Sequence, residues 1–229
     1  MTNKWTPLSR AQIAALVAES IPNGAVVNLG IGIPTLVGEY LPPEREIILH
    51  SENGILGMGP TPDTPDPDLI NASRQPISLL QGASISDHSI SFAIMRGGHL
   101  DYSIMGGFQV AQNGDLANWI TKEEKAIPAV GGAMDLAVGA KNVIITMTHT
   151  TRDGHPKLVS QCDYPITGAG VVTKVYTDLA IIAIENNQFV VEAMIEHLSR
   201  EALQERTAAP LFYREDLAII SDPLKKGIV

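Results

Sequence analysis

Short apolar runs in this chain repeatedly end in glycine, and a helical pattern then follows. "AVVNLG" leads into "IGIPT", "DYSIMGG" stops at a glycine pair, and "AVGGAMDLAVGAK" turns on another pair before a helix-like stretch. Runs this short are strand-length, and glycine allows the sharp turn that frees the end of a strand. Strands alternating with helices build a parallel sheet, because parallel neighbours need a crossover connection. The fold class is therefore α/β: a mostly parallel sheet with helices on both faces.

The pattern predicts strands at residues 25–29, 46–49, 77–80, 102–105 and 143–147. It predicts helices at 9–20, capped by Ser9, at 34–41 with Pro34 in the first turn, from Ser86 or Asp87 to Met95, and at 198–206. Residues 179–185 and 188–194 flank Asn186–Asn187, a hairpin signal. "PTPDTPDPD" reads as an exposed acidic loop, with Asp63, Asp66 and Asp68 solvated rather than holding a metal. Neither a linker nor an internal repeat interrupts the chain, which reads as a single domain over 1–229.

Composition excludes several function classes. No apolar run is long enough to span a bilayer, and the N-terminus carries no apolar signal segment. Cys162 is the single cysteine and has no internal disulfide partner, so a cytoplasmic location is expected and a small inert residue is the simpler reading of it. A net charge of −9 without a Lys/Arg run argues against nucleic acid or an anionic membrane as partner. It leaves room for an anionic small molecule held by backbone N–H groups and a local cation.

Ligands of such sheets bind beyond the carboxyl ends of the strands. The turns expected there are Gly30–Gly32, Glu52–Gly54, Gly106–Gly107 and Gly131–Gly132. "GIGIPT" begins like a dinucleotide fingerprint, but Thr35 stands at its sixth position; neither a phosphate-binding P-loop nor a serine-hydrolase elbow is present. His50, His88, His99, His149, His155 and His197 make no recognised metal spacing, and no metal is expected. Glu52, in "LHSENGILGMGP", is the acid among these turns. It either caps its turn or acts as a nucleophile or base. A nucleophilic carboxylate must stay ionised despite burial, for which N–H groups of Asn53 and Gly54 are candidates, and attack on an acyl group needs bare N–H donors for the oxyanion.

"HSENGILGMGP" resembles the catalytic signature of the β subunit of family I CoA-transferases, the 3-oxoacid group. "NLGIGIPT", "DLINAS", "IMRGGHLDYSIMGGFQV", "GDLANW", "AVGGAMDLAVGAK", "KLV", "YPITG" and "VYTDLA" resemble successive blocks of that subunit, in order. The resemblance implies that Glu52 is the nucleophile and carries first a mixed anhydride and then a CoA thioester. It implies Gly131–Gly132 beside Glu52 as oxyanion donors, Gly30 and Gly32 near the CoA thiol arm, Asn53 and Gly54 at the substrate, and Gly106, Gly107 and Phe108 on the acyl or pantetheine side. Tight turns serving only strand–helix packing are the alternative for the glycines.

By the same resemblance CoA and acyl-CoA are substrates, no cofactor is tightly bound, and a homologous α subunit completes the site in an α2β2 assembly. Succinyl-CoA is the implied donor, and acetoacetate or 3-oxoadipate the acceptor. A second carboxylate on the acceptor would want a cation; Arg96, Arg74 and Lys141 are available, unless the α half supplies it. The stretch after Pro210, "LFYREDLAIISDPLKKGIV", is longer than that subunit leads one to expect and reads as an extension, 212–229, that docks on the partner or frays. Two other classes stay open: an isomerase-like enzyme using Glu52 as base, and a non-catalytic binding module on the same scaffold.

Overall fold

The computed structural model describes residues 5–122 and 126–224. Helix α1, Arg10–Ser20, starts at a capping box: the Ser9 hydroxyl accepts from the Gln12 N–H at 3.2 Å, and the Gln12 side chain accepts from the Ser9 N–H at 2.8 Å. These bonds satisfy donors that a helix start leaves open, and such a cap contributes about 1 kcal/mol. Strand β1, Val26–Leu29, leads to α2, Ile33–Val37, which ends sooner than the sequence suggests because Gly38–Tyr40 tightens into a 3-10 turn. There follow β2, Ile48–Ser51; β3, Ile55–Gly59; β4, Ser78–Ile85; and α3, His88–Arg96, capped by Asp87. Next come β5, Tyr102–Gly106; β6, Gln109–Ala111; β7, Leu116–Ala117; α4, Ala133–Gly139; and β8, Asn142–Thr146. The chain continues with β9, Leu158–Val159; β10, Val172–Tyr176; β11, Ala180–Glu185; β12, Gln188–Ile195; α5, Arg200–Gln204; and β13, Leu211–Ile220.

The main sheet runs β13-β12-β11-β10-β8-β5-β1-β2-β3-β4, and β7-β6-β9 form a smaller one. From β10 through β8, β5 and β1 to β2 every pairing is parallel. Both flanks turn antiparallel through β2–β3–β4 and β10–β11–β12. Asn186 and Asn187 both take positive φ in the β11–β12 turn, as a two-residue hairpin requires. β8 shows how the sheet divides the core. Val143 and Ile145 pack with Met95, Leu136 and Leu203 of α3, α4 and α5, whereas Ile144 packs with Ile13 and Val17 of α1. That alternation buries both faces of the strand, which is why its sequence is an unbroken apolar run.

Residues 211–220 are not a frayed tail. They form β13 and pair parallel to β12, from Phe189↔Leu211 to Ile195↔Ile220. The remainder of the expected extension is described only to Leu224. Among the described residues no helix is long and apolar enough to cross a membrane.

His50 and His149 are almost fully buried, and burial pushes both pKa values down to about 4. An ordinary histidine in the unfolded chain titrates near 6.5, so the neutral rings favour the fold above that pH, and the advantage is lost as pH falls through 6.5 toward 4. Each is worth up to about 3 kcal/mol on that scale. The melting temperature should therefore drop steeply across this window, and His149→Gln should flatten the slope. An unchanged slope in that variant would assign the acid sensitivity elsewhere.

Candidate active site

The carboxyl ends of β1, β5, β8 and β2 open onto a cleft of about 680 Å³. β2 delivers Glu52 to it. The β2–β3 hairpin turns through residues 52–54, with Gly54 at φ +105. A methyl group on Gly54 would overlap the Ser86 carbonyl oxygen, and the Ser86 N–H in turn donates to the Gly54 carbonyl at 2.8 Å. The glycine after Glu52 thus lets the neighbouring chain pass close behind the turn and hold it in place.

The predicted donors divide. The Gly54 N–H is committed to the Ser51 carbonyl at 3.0 Å, and the Asn53 side-chain amide, not its backbone N–H, donates to the Ile70 carbonyl at 2.7 Å. Neither residue lines the cleft. The backbone group that reaches the Glu52 carboxylate is the N–H of Gly132, at the start of α4. The approach is so close that a methyl group on Gly132 would overlap Oε2 of Glu52. Burial raises the Glu52 pKa, the Gly132 N–H opposes that rise, and the negative charge of Asp135 adds to it. The carboxylate is thus half-buried, held by one donor, and ionised less readily than a free glutamate.

Gly30, Gly106, Gly107, Phe108, Gly131 and Gly132 line the cleft together with Glu52; Gly32 lies outside the lining. Thr35, the residue that breaks the dinucleotide pattern, donates its hydroxyl to the Gly30 carbonyl at 2.9 Å and closes that turn. Of the cations suggested for a second carboxylate, Arg96 is paired with Asp135 and Lys141 with Asp101. None of Arg74, Arg96 and Lys141 lines the cleft.

Sequence reasoning missed three contributions. First, Asn28, on β1, donates to His50 Nδ1 at 3.1 Å and to the His50 carbonyl at 3.2 Å. His50 Nε2 lies 2.8 Å from the Ser91 hydroxyl, which donates to the Ser51 carbonyl at 3.2 Å. With Nδ1 accepting from Asn28, Nε2 carries the proton, so this buried chain fixes the backbone one residue before Glu52. Second, the 71–73 loop covers the cleft wall, tied down where the Ala72 N–H donates to the Ser51 hydroxyl at 2.9 Å. Third, Lys157 lines the cleft, and burial lowers its pKa to about 8. Only pairing across long sequence separations brings these residues in, and no local spacing signals it.

Two of the histidines weighed as metal ligands, His50 and His149, have both ring nitrogens occupied. His149 places its ring nitrogens 3.0 Å from the Thr177 hydroxyl and 2.9 Å from that of Thr207, and both nitrogens of His50 are used above. Burial, helped by the nearby Asp115 charge, pushes the Cys162 thiol up to about 11, which leaves it a poor nucleophile.

A cleft at the switch of a parallel sheet, with a hydrogen-bonded glutamate facing bare glycine turns, suits acyl chemistry on a carboxylate. The sequence profile of the Coenzyme A transferase family matches residues 10–206. The chain belongs to the coenzyme A transferase family. It is 52% identical over 206 residues to one subunit, of the β type, of the 3-oxoadipate CoA-transferase of Acinetobacter baylyi, covering 89% of this chain and 95% of that one. It is 44% identical over 202 residues to the corresponding subunit of the succinyl-CoA:3-ketoacid coenzyme A transferase of Helicobacter pylori, covering 87% and 97%. Among solved structures, the acyl-CoA transferase apoenzyme of Escherichia coli O157:H7 superposes with a TM-score of 0.73 at 18% identity. The match takes in 97% of this CoA-transferase chain and 45% of that structure's chain, so the present chain spans less than half of that longer protein. At that identity the likeness concerns the fold alone.

Proposed function

We propose that this CoA-transferase chain is a β subunit that moves CoA from succinyl-CoA to a 3-oxoacid through a thioester on Glu52. The observation that carries the reading is the Glu52 carboxylate in the cleft, met by the Gly132 N–H. A carboxylate oxygen of Glu52 attacks the thioester carbonyl, and the C–S bond breaks to release CoA thiolate and leave a glutamyl–acyl anhydride. The thiolate then attacks the Glu52 carbonyl and expels the acid as its carboxylate, giving a glutamyl-CoA thioester. The acceptor acid repeats these steps in reverse. Through each exchange the activated acyl bond passes from one carrier to the next, so water must be excluded.

The Gly132 N–H suits the second step. It lies beside the Glu52 carboxyl group and favours its negative charge, so it is placed to hold the negative oxygen that forms when thiolate adds to that same carbon. Of the two acceptors, 3-oxoadipate is favoured by the 52% identity to a relative named for it, against 44% to one named for a 3-ketoacid. CoA and acyl-CoA enter this reading as substrates, with no resident cofactor. The lone cysteine supports a cytoplasmic location.

A partner α subunit, in an α2β2 assembly, belongs to the same reading. The relatives are each named as one subunit of a larger enzyme, and Ile31, Phe108 and Val130 line the cleft while exposed at 77%, 39% and 37%. Apolar side chains beside a water-excluding reaction call for a cover.

The test is intact mass of the complex, co-purified with its partner subunit, after brief exposure to succinyl-CoA. A CoA-sized adduct on this chain, mapped to Glu52 and discharged by an acceptor acid, is expected. A folded complex that binds CoA without forming an adduct would overturn the covalent route and favour Glu52 as a base. A lone chain with full transfer activity would overturn the partner.

A further inference from the structure

Lys157 is held where an ordinary surface lysine would not be. Its backbone is clamped on both sides: its N–H donates to the His149 carbonyl at 3.1 Å, and its carbonyl accepts from the Val110 N–H at 2.9 Å. It directly precedes β9, which pairs with β6 in the small sheet. It lines the cleft, as do Met147 and Thr148. Among the described residues, no hydrogen bond or ion pair reaches its ammonium group. Asp178 is the carboxylate whose charge it feels, but Asp178 Oδ1 accepts the His149 N–H at 2.6 Å and makes no ion pair with the lysine. A largely buried cation without a partner is costly to the fold, and such charges are retained where an anion arrives to meet them. The lowered pKa, about 8, follows from burial, which the Asp178 charge only partly offsets.

The rest of the cleft narrows the choice of anion. Among the described residues, the other cation along its wall, Arg10, is exposed at the start of α1. One lysine on a chain of net charge −9 is a weak match for a diphosphate, which calls for several donors, and a good match for one carboxylate. Across the cleft, Thr146 at the end of β8 and Glu52 after β2 stand three strand spacings, about 14 Å, apart, with β5 and β1 between them. Glu52 and Lys157 line the same cleft of about 680 Å³, which has room for a short diacid.

We infer that Lys157 is a specificity-determining residue, its ammonium binding the distal carboxylate of a dicarboxylic acid whose other carboxyl group exchanges CoA on Glu52. This rests on the transfer reading above and deepens it. Donor and acceptor would use the same cation in turn, and a monocarboxylic acid would gain nothing from it.

The experiment uses the complex with its partner subunit and the variants Lys157→Met and Lys157→Arg. The enzyme is loaded from succinyl-CoA at saturation, freed of excess reagent, and discharged with succinate, 3-oxoadipate or acetoacetate while the adduct mass is followed. Lys157→Met should raise the diacid concentration for half-maximal discharge at least tenfold and leave acetoacetate discharge and CoA affinity unchanged. Lys157→Arg should keep much of the preference. Because the methionine removes an unpaired buried charge and keeps the apolar stem, its melting temperature should match or exceed the parent's. Equal losses for the diacids and acetoacetate, weakened CoA binding, or no change at all would each overturn the assignment. If the parent complex forms no adduct, the transfer reading fails by itself. Calorimetric binding of succinate against acetoacetate to the parent and Lys157→Met complexes then decides the lysine: a selective loss for succinate supports it, and parallel affinities overturn it.

Discussion

Glu52→Gln is expected to remove CoA transfer almost completely, by a factor on the order of 10⁴ or more, while the complex still folds and binds CoA. The amide keeps an oxygen for the Gly132 N–H and nearly the same volume, so the turn keeps its geometry. It loses the negative charge that makes the oxygen nucleophilic toward the thioester. Folding should not suffer, because the native carboxylate is half-buried and its pKa is raised by that burial and by Asp135. A neutral amide avoids that cost, and the melting temperature should hold or rise. Glu52→Asp keeps the charge and shortens the reach by one methylene, so it should cost roughly 10²-fold, as a displacement of about 1 Å does in an aligned site. Steady-state transfer with succinyl-CoA, read beside CoA affinity, separates the two effects. Near-parent turnover in Glu52→Gln would exclude a covalent glutamate.

The same raised pKa sets the pH dependence. The attacking form is the carboxylate, so activity should fall as pH drops through a value above that of an ordinary glutamate.

Local signals carried most of the architecture. Ser9 and Gln12 spell a capping box, Asn186–Asn187 spell a two-residue hairpin, and Asp87 precedes a helix that ends at Gly97. The elements that escaped notice lack such signals. β3 is "ILGMG", a strand broken by Gly57 at φ +84, and its antiparallel pairing to β4 shows only in three dimensions. β13 carries Arg214, Glu215 and Asp216 in its middle, so it has no apolar alternation, and it is a strand because β12 offers an open edge. The site divides in the same way. Glu52 and the cleft glycines announce themselves as turns at strand ends. Asn28, His50 and Ser91 join across 22 and 41 residues of sequence, and Lys157 sits in "HPKLV" among residues that carry no chemical pattern. Arg96, Arg74 and Lys141 are available in the sequence for a second carboxylate, but the fold commits Arg96 and Lys141 to ion pairs and places none of the three along the cleft.

Gly132→Ala should be the most informative single methyl group in the molecule. Gly132 has φ −86 and ψ 10, a backbone that alanine adopts without strain, so any effect comes from contact. The added carbon would overlap Oε2 of Glu52 and stand 3.3 Å from Phe92 Cζ. The carboxylate must swing away from the N–H that holds it, and the oxyanion donor moves off line. A loss of about 10²- to 10³-fold in transfer is expected, the cost of one misaligned donor, with a melting temperature close to the parent's. The acid limb of the rate should also move to higher pH, because the Gly132 N–H is the group that opposes the raised pKa of Glu52. Gly131→Ala is the contrast. Its φ of +44 makes alanine strained, about 1 kcal/mol, yet nothing lies within 4 Å of the new methyl, so stability should fall while the Glu52 contact survives. The decisive measurement is the double variant Gly132→Ala with Glu52→Asp. Shortening the acid withdraws the oxygen that the methyl would strike, so the two losses should overlap and the double variant should be faster than their product. Strictly multiplicative losses would mean that Gly132 acts on something other than the Glu52 carboxylate.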